Sequence, residues 1–235
     1  MVRVGNRSER MHCRLSVQLS GEAANVYTVF GEPDAEMSLP PAYQTDAPFG
    51  ANTGGVDPGF FSVMPTSAFD SWLTVGLTEG DSAGALGSVG IDWETWTPDT
   101  GLTIDNGAVF WMDPNAGPGS DSGDIVLAQV TVPTGTEFTA VLNVQGRGTG
   151  ARDVGEDGVP GEHSLSPAIL TISSCGSSDS HVVWVFCCAG EVSDGWHSFG
   201  LQFTNADQTG DPACLSARPP ARLPACLPAC SVAPV

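Results

Sequence analysis

The side chains best placed to do chemistry in this chain are carboxylates. Asp113, Asn115, Asp121 and Asp124 fall within the stretch DPNAGPGSDSGD. An Asp-x-Asn spacing sets two oxygen donors on one side of an extended turn. The neighbouring glycines let backbone carbonyls turn inward. Hard cations such as Ca²⁺ take oxygen ligands of this kind, so these four residues form a candidate calcium loop, with Ca²⁺ as the one cofactor the sequence suggests. It is not an EF-hand, because Gly117 stands where a further acidic ligand belongs and Pro118 occupies the usual glycine position. Asp and Asn also gather in turns for a reason unrelated to metals: their side chains bond nearby backbone N–H groups.

A second candidate is the pair Asp92 and Glu94, which flank Trp93 and lie close to Trp96. Glycoside hydrolysis uses two carboxyls roughly 5 to 10 Å apart, and residues i and i+2 of a strand share a face at about 6 to 7 Å. A strand through Ser88–Trp93 would therefore give a hydrolase-like pair beside a tryptophan platform. So acidic a chain also places carboxylates beside aromatic residues by chance. His197 lies in an alternating segment but has no Cys or Asp at an informative spacing. No G-x-S-x-G, P-loop or dinucleotide fingerprint is present. Catalysis is thus the alternative reading, and binding is the leading one.

Charge narrows the partners. The net formal charge is -19, and all 8 basic residues are arginine. Between Leu15 and Gly146 there are 17 Asp and Glu and no Lys or Arg. Phosphate-neutralising groups are missing, which argues against nucleic acid as a partner. The carboxylates must be solvated, hydrogen-bonded or cation-bound. No run reaches the roughly 20 apolar residues of a membrane helix. The N-terminus is basic, but Ser16 and Gln18 interrupt its apolar stretch, so it gives no clear signal peptide.

The elements that must position these side chains read as strands. The 29 glycines and 18 prolines punctuate the chain at short intervals, which suits strands and turns. Apolar patterning predicts strands at Val26–Phe30, Phe60–Met64, Phe69–Leu77, Ser88–Trp93, Ala108–Met112, Ile125–Val132, Phe138–Val144 and Trp196–Thr204. Ala108–Met112 is a continuous apolar run between the turn pair Asn106-Gly107 and the stop Asp113-Pro114-Asn115, and reads as a buried central strand. Pro133-Thr134-Gly135-Thr136 reads as a hairpin link between two strongly patterned neighbours. Eight or so short strands at this spacing predict an all-β fold, an antiparallel β-sandwich or jelly roll.

Domain limits follow from where the pattern breaks. Residues 1–24 are expected to be a disordered N-terminal segment and 25–204 the sandwich. Residues 149–192 carry paired cysteines and a serine cluster, and removing them leaves two alternating strands joined by a short turn. The stretch therefore reads as an insertion or translated intron, with an extra strand at Val182–Phe186 as the other reading. Residues 205–235 read as a low-complexity tail in which LPAC occurs twice; proline-broken sequence of this kind forms no packed element. The 7 cysteines are absent between Cys13 and Cys175, so no disulfide internal to the body is expected.

The ordered series VYTVFGEPD, PPAYQTDAPFG, GGVDPGFF, FDSWLTVGL, GIDWETW, NGAVFWMDP and NVQGR resembles a β-rich module of unassigned activity, often repeated in secreted or surface proteins of marine microorganisms. The resemblance covers about Asn25 to Arg147 and resumes near Asp194. It implies an extracellular or cell-surface setting and brings no catalytic residues with it. The expectation is then a non-catalytic surface module for adhesion, matrix or glycan contact, possessing the calcium loop as a stabilising site. The alternative is a glycan-active hydrolase using Asp92 and Glu94.

Overall fold

A computed structural model describes residues 10–17, 19 and 23–148, with the backbone of the strands at 174–175, 184–192 and 196–204. Within these limits the chain is all-β. Its strands are β1 (Arg10–Val17), β2 (Ala23–Gly31), β3 (Met37–Leu39), β4 (Trp72–Leu73), β5 (Leu86–Val89) and β6 (Leu102–Ile104), followed by β7 (Gly107–Trp111), β8 (Ile125–Pro133), β9 (Thr139–Gly148), β10 (Ser174–Cys175), β11 (Trp184–Val192) and β12 (Trp196–Thr204). They form two antiparallel sheets. The smaller runs β10-β1-β8-β4 and the larger β11-β12-β9-β2-β7-β5, with β3 set against β9 and β6 against β3. Among the described residues no helix is long and apolar enough to cross a membrane.

Period-2 patterning builds the core. In β1, Met11, Cys13, Leu15 and Val17 turn inward, and Val130 and Val132 of β8 pair with Cys13 and Met11 on the same face. From the larger sheet, Val29, Val109, Leu142 and Val144 turn inward, all fully buried. Side chains of both sheets meet in one apolar cluster, which is the sandwich arrangement the alternation predicts. Each such side chain contributes about 1.5–3 kcal/mol on burial. Trp96 and Trp111 point their indole N–H groups at the Pro40 and Val75 carbonyls, each at 2.8 Å, so their burial strands no donor.

Several elements differ from expectation. The body begins before Asn25, because β1 is already a core strand. Its charged positions Arg10, His12 and Arg14 alternate with apolar ones, so what reads as a basic tail is a strand with one apolar and one polar face. Phe60–Met64 is not a strand: Pro58–Ser62 is a 3-10 helix whose Asp57 side chain accepts the Gly59 N–H. A second 3-10 helix, Pro65–Phe69, takes the start of the predicted Phe69–Leu77 strand, and Trp72–Leu73 is the part that pairs as a strand. The 133–136 link is not a hairpin. β8 and β9 belong to different sheets, and Gly135, at φ +83°, turns the chain from one sheet to the other. Asn106-Gly107 does lie at the passage from β6 to β7, but the positive φ there belongs to the neighbouring Gly90 rather than to Gly107.

β9 and β12 do pair directly, with Arg147 opposite Trp196. The stretch between them contributes β10 to the smaller sheet and β11 to the edge of the larger one. The extra strand read at Val182–Phe186 is therefore present but shifted, as Trp184–Val192. The expectations for residues 1–9 and 205–235 lie outside the described residues.

Candidate functional site

The strand that would set Asp92 and Glu94 on one face is absent. Trp93–Thr95 is a 3-10 turn, and the Asp92 carboxylate caps it by accepting the Glu94 N–H at 3.3 Å. The strand that would align Asp92 with Glu94 ends at Val89. Both carboxylates are exposed. The flanking tryptophans are turned to the core: Trp96 is buried and Trp93 packs against the apolar cluster. Trp96 is thereby removed from the surface, and Trp93 is half-buried. The turn chemistry wins because Asp before a short helical turn satisfies an orphan N–H.

The acidic loop is occupied by its own contacts. Pro114–Ala116 is a 3-10 turn capped by Asp113, whose Oδ1 accepts both the backbone N–H of Asn115 at 2.9 Å and its side-chain amide at 3.0 Å. Asn115 Oδ1 accepts a hydrogen bond from the Arg147 guanidinium. The loop is pinned to β2 through Asn25, which donates to the Pro114 carbonyl at 2.8 Å and accepts the Arg147 N–H at 3.1 Å. Val26 N–H adds a bond to the Pro118 carbonyl at 3.0 Å. Asp121 lies in a separate exposed turn, Ser120–Ser122, and Asp124 is exposed just before β8. The fold thus brings Asp113 and Asn115 together, joins Arg147 to Asn115, and leaves Asp121 and Asp124 in separate exposed positions. Among the described residues no three His, Cys, Asp or Glu side chains converge to hold a metal ion. Arg147 also faces Tyr27, whose hydroxyl burial pushes up to about 12 against the opposing pull of that positive charge.

A buried polar knot sits on the outer side of the smaller sheet. Asp70 is fully buried and accepts the Thr45 and Ala51 backbone N–H groups at 2.6 and 2.7 Å. It ties the 45–51 loop to the start of β4. Gln129 of β8 donates to the Asp70 carbonyl at 2.7 Å and accepts from Arg14 of β1. Arg14 lies over Trp72 and Arg10 over Tyr43, so these two arginines are held by aromatic faces. Burial raises the Asp70 carboxyl to about 6, while its backbone hydrogen bonds from Ala51, Thr45 and Ser71 pull the other way. Every contact of this knot is internal, and it reads as a loop clamp.

The surface feature that remains lies on the outer face of β5 and β7. Val109 and Trp111 face inward, so Ala108 and Phe110 face outward, followed by Met112, which is 65% exposed. Register sets Gly87 opposite Phe110 and Val89 opposite Ala108. A Cβ on Gly87 would lie 2.8 Å from Phe110 Cζ and 3.0 Å from Met112 Sδ. The ring therefore lies across the glycine, with the methionine sulfur beside it. Val89 is 60% exposed, and Phe30 of β2, paired with Ala108, extends the strip. Exposed Glu32, Asp105 and Asp113 stand at the ends of these strands. The Ala108–Met112 run reads as a buried central strand from its apolarity; the signal that one face is open is the glycine in LGSV, which leaves room for a neighbouring ring.

Comparison with protein-family models, with curated proteins and with solved structures finds no match to this chain.

Proposed function

We propose that this chain is a non-catalytic binding module of an extracellular or cell-surface setting, and that its outer β5–β7 face contacts a neutral glycan. The observation that carries the reading is the Phe110 ring laid across Gly87 with Met112 and Val89 beside it. A pyranose presents one face of C–H groups that packs on an aromatic ring, while its hydroxyls seek acceptors. The strip offers the ring, and Glu32, Asp105 and Asp113 at its borders offer acceptors. Of the described acidic residues between Leu15 and Gly146, all but Asp70 and Asp81 are exposed. That field repels sulfated or uronic polymers and leaves neutral sugars unopposed. Cys13 is disulfide-bonded, which supports an oxidising compartment.

The test is binding to immobilised neutral polysaccharides and a glycan array. The expected result is retention that Phe110→Ala weakens at least about tenfold, roughly 1.4 kcal/mol. Asp92→Asn with Glu94→Gln is expected to bind as the wild type does, with no new reducing ends released. Unchanged binding by Phe110→Ala would remove the strip as the site. Turnover lost in the double carboxylate variant would replace the module with a hydrolase.

A further inference from the structure

We propose that Cys13 and Cys175 form one disulfide, and that this bond ties β10 to β1 at the edge of the smaller sheet. Cys13 is disulfide-bonded and fully buried on the inner side of β1. β10 pairs antiparallel with β1, and the register sets Cys13 against Cys175 and Arg14 against Ser174. Directly opposed residues of an antiparallel pair have Cα atoms about 4.5 to 5.5 Å apart. A disulfide spans Cα separations of about 4.4 to 6.8 Å. Opposed residues of a ladder lie at the same face position of the sheet, so the register sets positions 13 and 175 against each other. Cys187 and Cys188 lie on β11 in the other sheet, opposite Leu201 and Gly200.

The bond explains a short element. β10 has 2 residues and lies at the edge of its sheet. So short a ladder contributes few hydrogen bonds, and fixing its backbone costs about 1–2 kcal/mol per residue in entropy. A covalent link removes that difficulty, because the edge strand can no longer leave. It also closes a chain loop of more than a hundred residues around β2–β9, which restricts the unfolded ensemble. Formation is a two-electron oxidation. Each thiol loses its proton, the sulfur–sulfur bond forms, and the two electrons and two protons reduce a disulfide oxidant to two thiols. Oxidising compartments supply such an oxidant, and reducing ones reverse the reaction.

The deciding experiment is peptide mapping of the full chain, refolded with oxidised glutathione and digested without reductant. Trypsin frees Met11–Arg14, and chymotrypsin, cutting at Trp184 and Phe186, parts Cys175 from Cys187 and Cys188. The expected product is Met11–Arg14 linked to a peptide whose one cysteine is Cys175, separated by reduction. Cys13 linked to any other cysteine, or recovered as an alkylated thiol, overturns the proposal. Melting gives a second readout. Cys13→Ser and Cys175→Ser are each expected to lower Tm by about 10 °C, and the double variant no further. Losses that add in the double variant would overturn the pairing, and the map of the wild-type chain decides even where a variant does not fold.

Discussion

Replacing Asp70 by Asn separates two opposing effects in the buried knot. The carboxylate accepts backbone N–H groups of Thr45 and Ala51, which favours its charged form. Burial favours the neutral form and wins, raising the group from 3.8 to about 6. The folded state then holds a proton that the unfolded state has already lost between those values. Stability from this group is full below about pH 4 and is lost as pH rises through 6. A shift of about two pH units corresponds to about 3 kcal/mol, or roughly 6 to 12 °C in Tm for a chain of this size. Asp70→Asn cannot ionise, so the difference in Tm between wild type and variant should move by that amount between pH 4 and pH 7, in favour of the variant at pH 7. Asp70→Ala behaves differently, because Thr45 and Ala51 N–H groups then lack an acceptor. At about 1–3 kcal/mol each, it should cost roughly 2 to 6 kcal/mol at both pH values. Scanning calorimetry of the three proteins at several pH values reads both effects. A wild type that gains on Asp70→Asn as pH rises would refute the reasoning, and would mean that the short N–H bonds outweigh burial.

Leu142→Ala, at a fully buried position of β9, is expected to cost about 2–5 kcal/mol in urea unfolding through the cavity it leaves. Gly31→Ala should cost about 1–3 kcal/mol, since a Cβ there would sit 2.9 Å from the Met37 nitrogen and press on the Ile104 carbonyl; a neutral effect would contradict the packing of β2 against β6. Melting in NaCl and in NaCl plus CaCl₂ at equal ionic strength tests the acidic loop. With Arg147 bonded to Asn115, equal midpoints are expected for the wild type, and a calcium-specific rise lost in Asp113→Asn with Asp121→Asn would place the ion at that loop.

What the sequence discloses here depends on how local the deciding physics is. β2, β8, β9 and β12 are legible because each has enough apolar positions in period 2 to fix a strand on its own, and β7 because its continuous apolar run is bounded by turn residues. β1 has the same period, but Arg10, His12 and Arg14 on its polar face make it look like a basic tail. Pro58 to Ser62 is aromatic enough to suggest a strand, yet Asp57 and Pro58 set a helical turn that outcompetes it. The 133–136 link is ambiguous because a short Gly turn serves a hairpin and a crossing between sheets equally well. Asp92 and Asp113 illustrate the same limit in the sites. Their carboxylates read as free ligands or catalysts, and both are used by the N–H groups two residues onward. Arg147 reaches Asn115 only through the β2–β9 pairing, a contact that no spacing along the chain discloses. Asp70, in FDSW, looks like an ordinary polar position, and only the loop that closes over it makes it a buried acid.

The central claim is that the outer β5–β7 face is where a neutral glycan rests, and methionine-methyl NMR tests it most directly. The chain has 5 methionines; Met112 is exposed beside Phe110, whereas Met11 and Met37 are buried in the core. On titration with neutral oligosaccharides, the Met112 methyl signal should shift and saturate, with Met11 and Met37 unmoved and the shift abolished in Phe110→Ala. Saturable binding that leaves the Met112 signal in place would contradict the account.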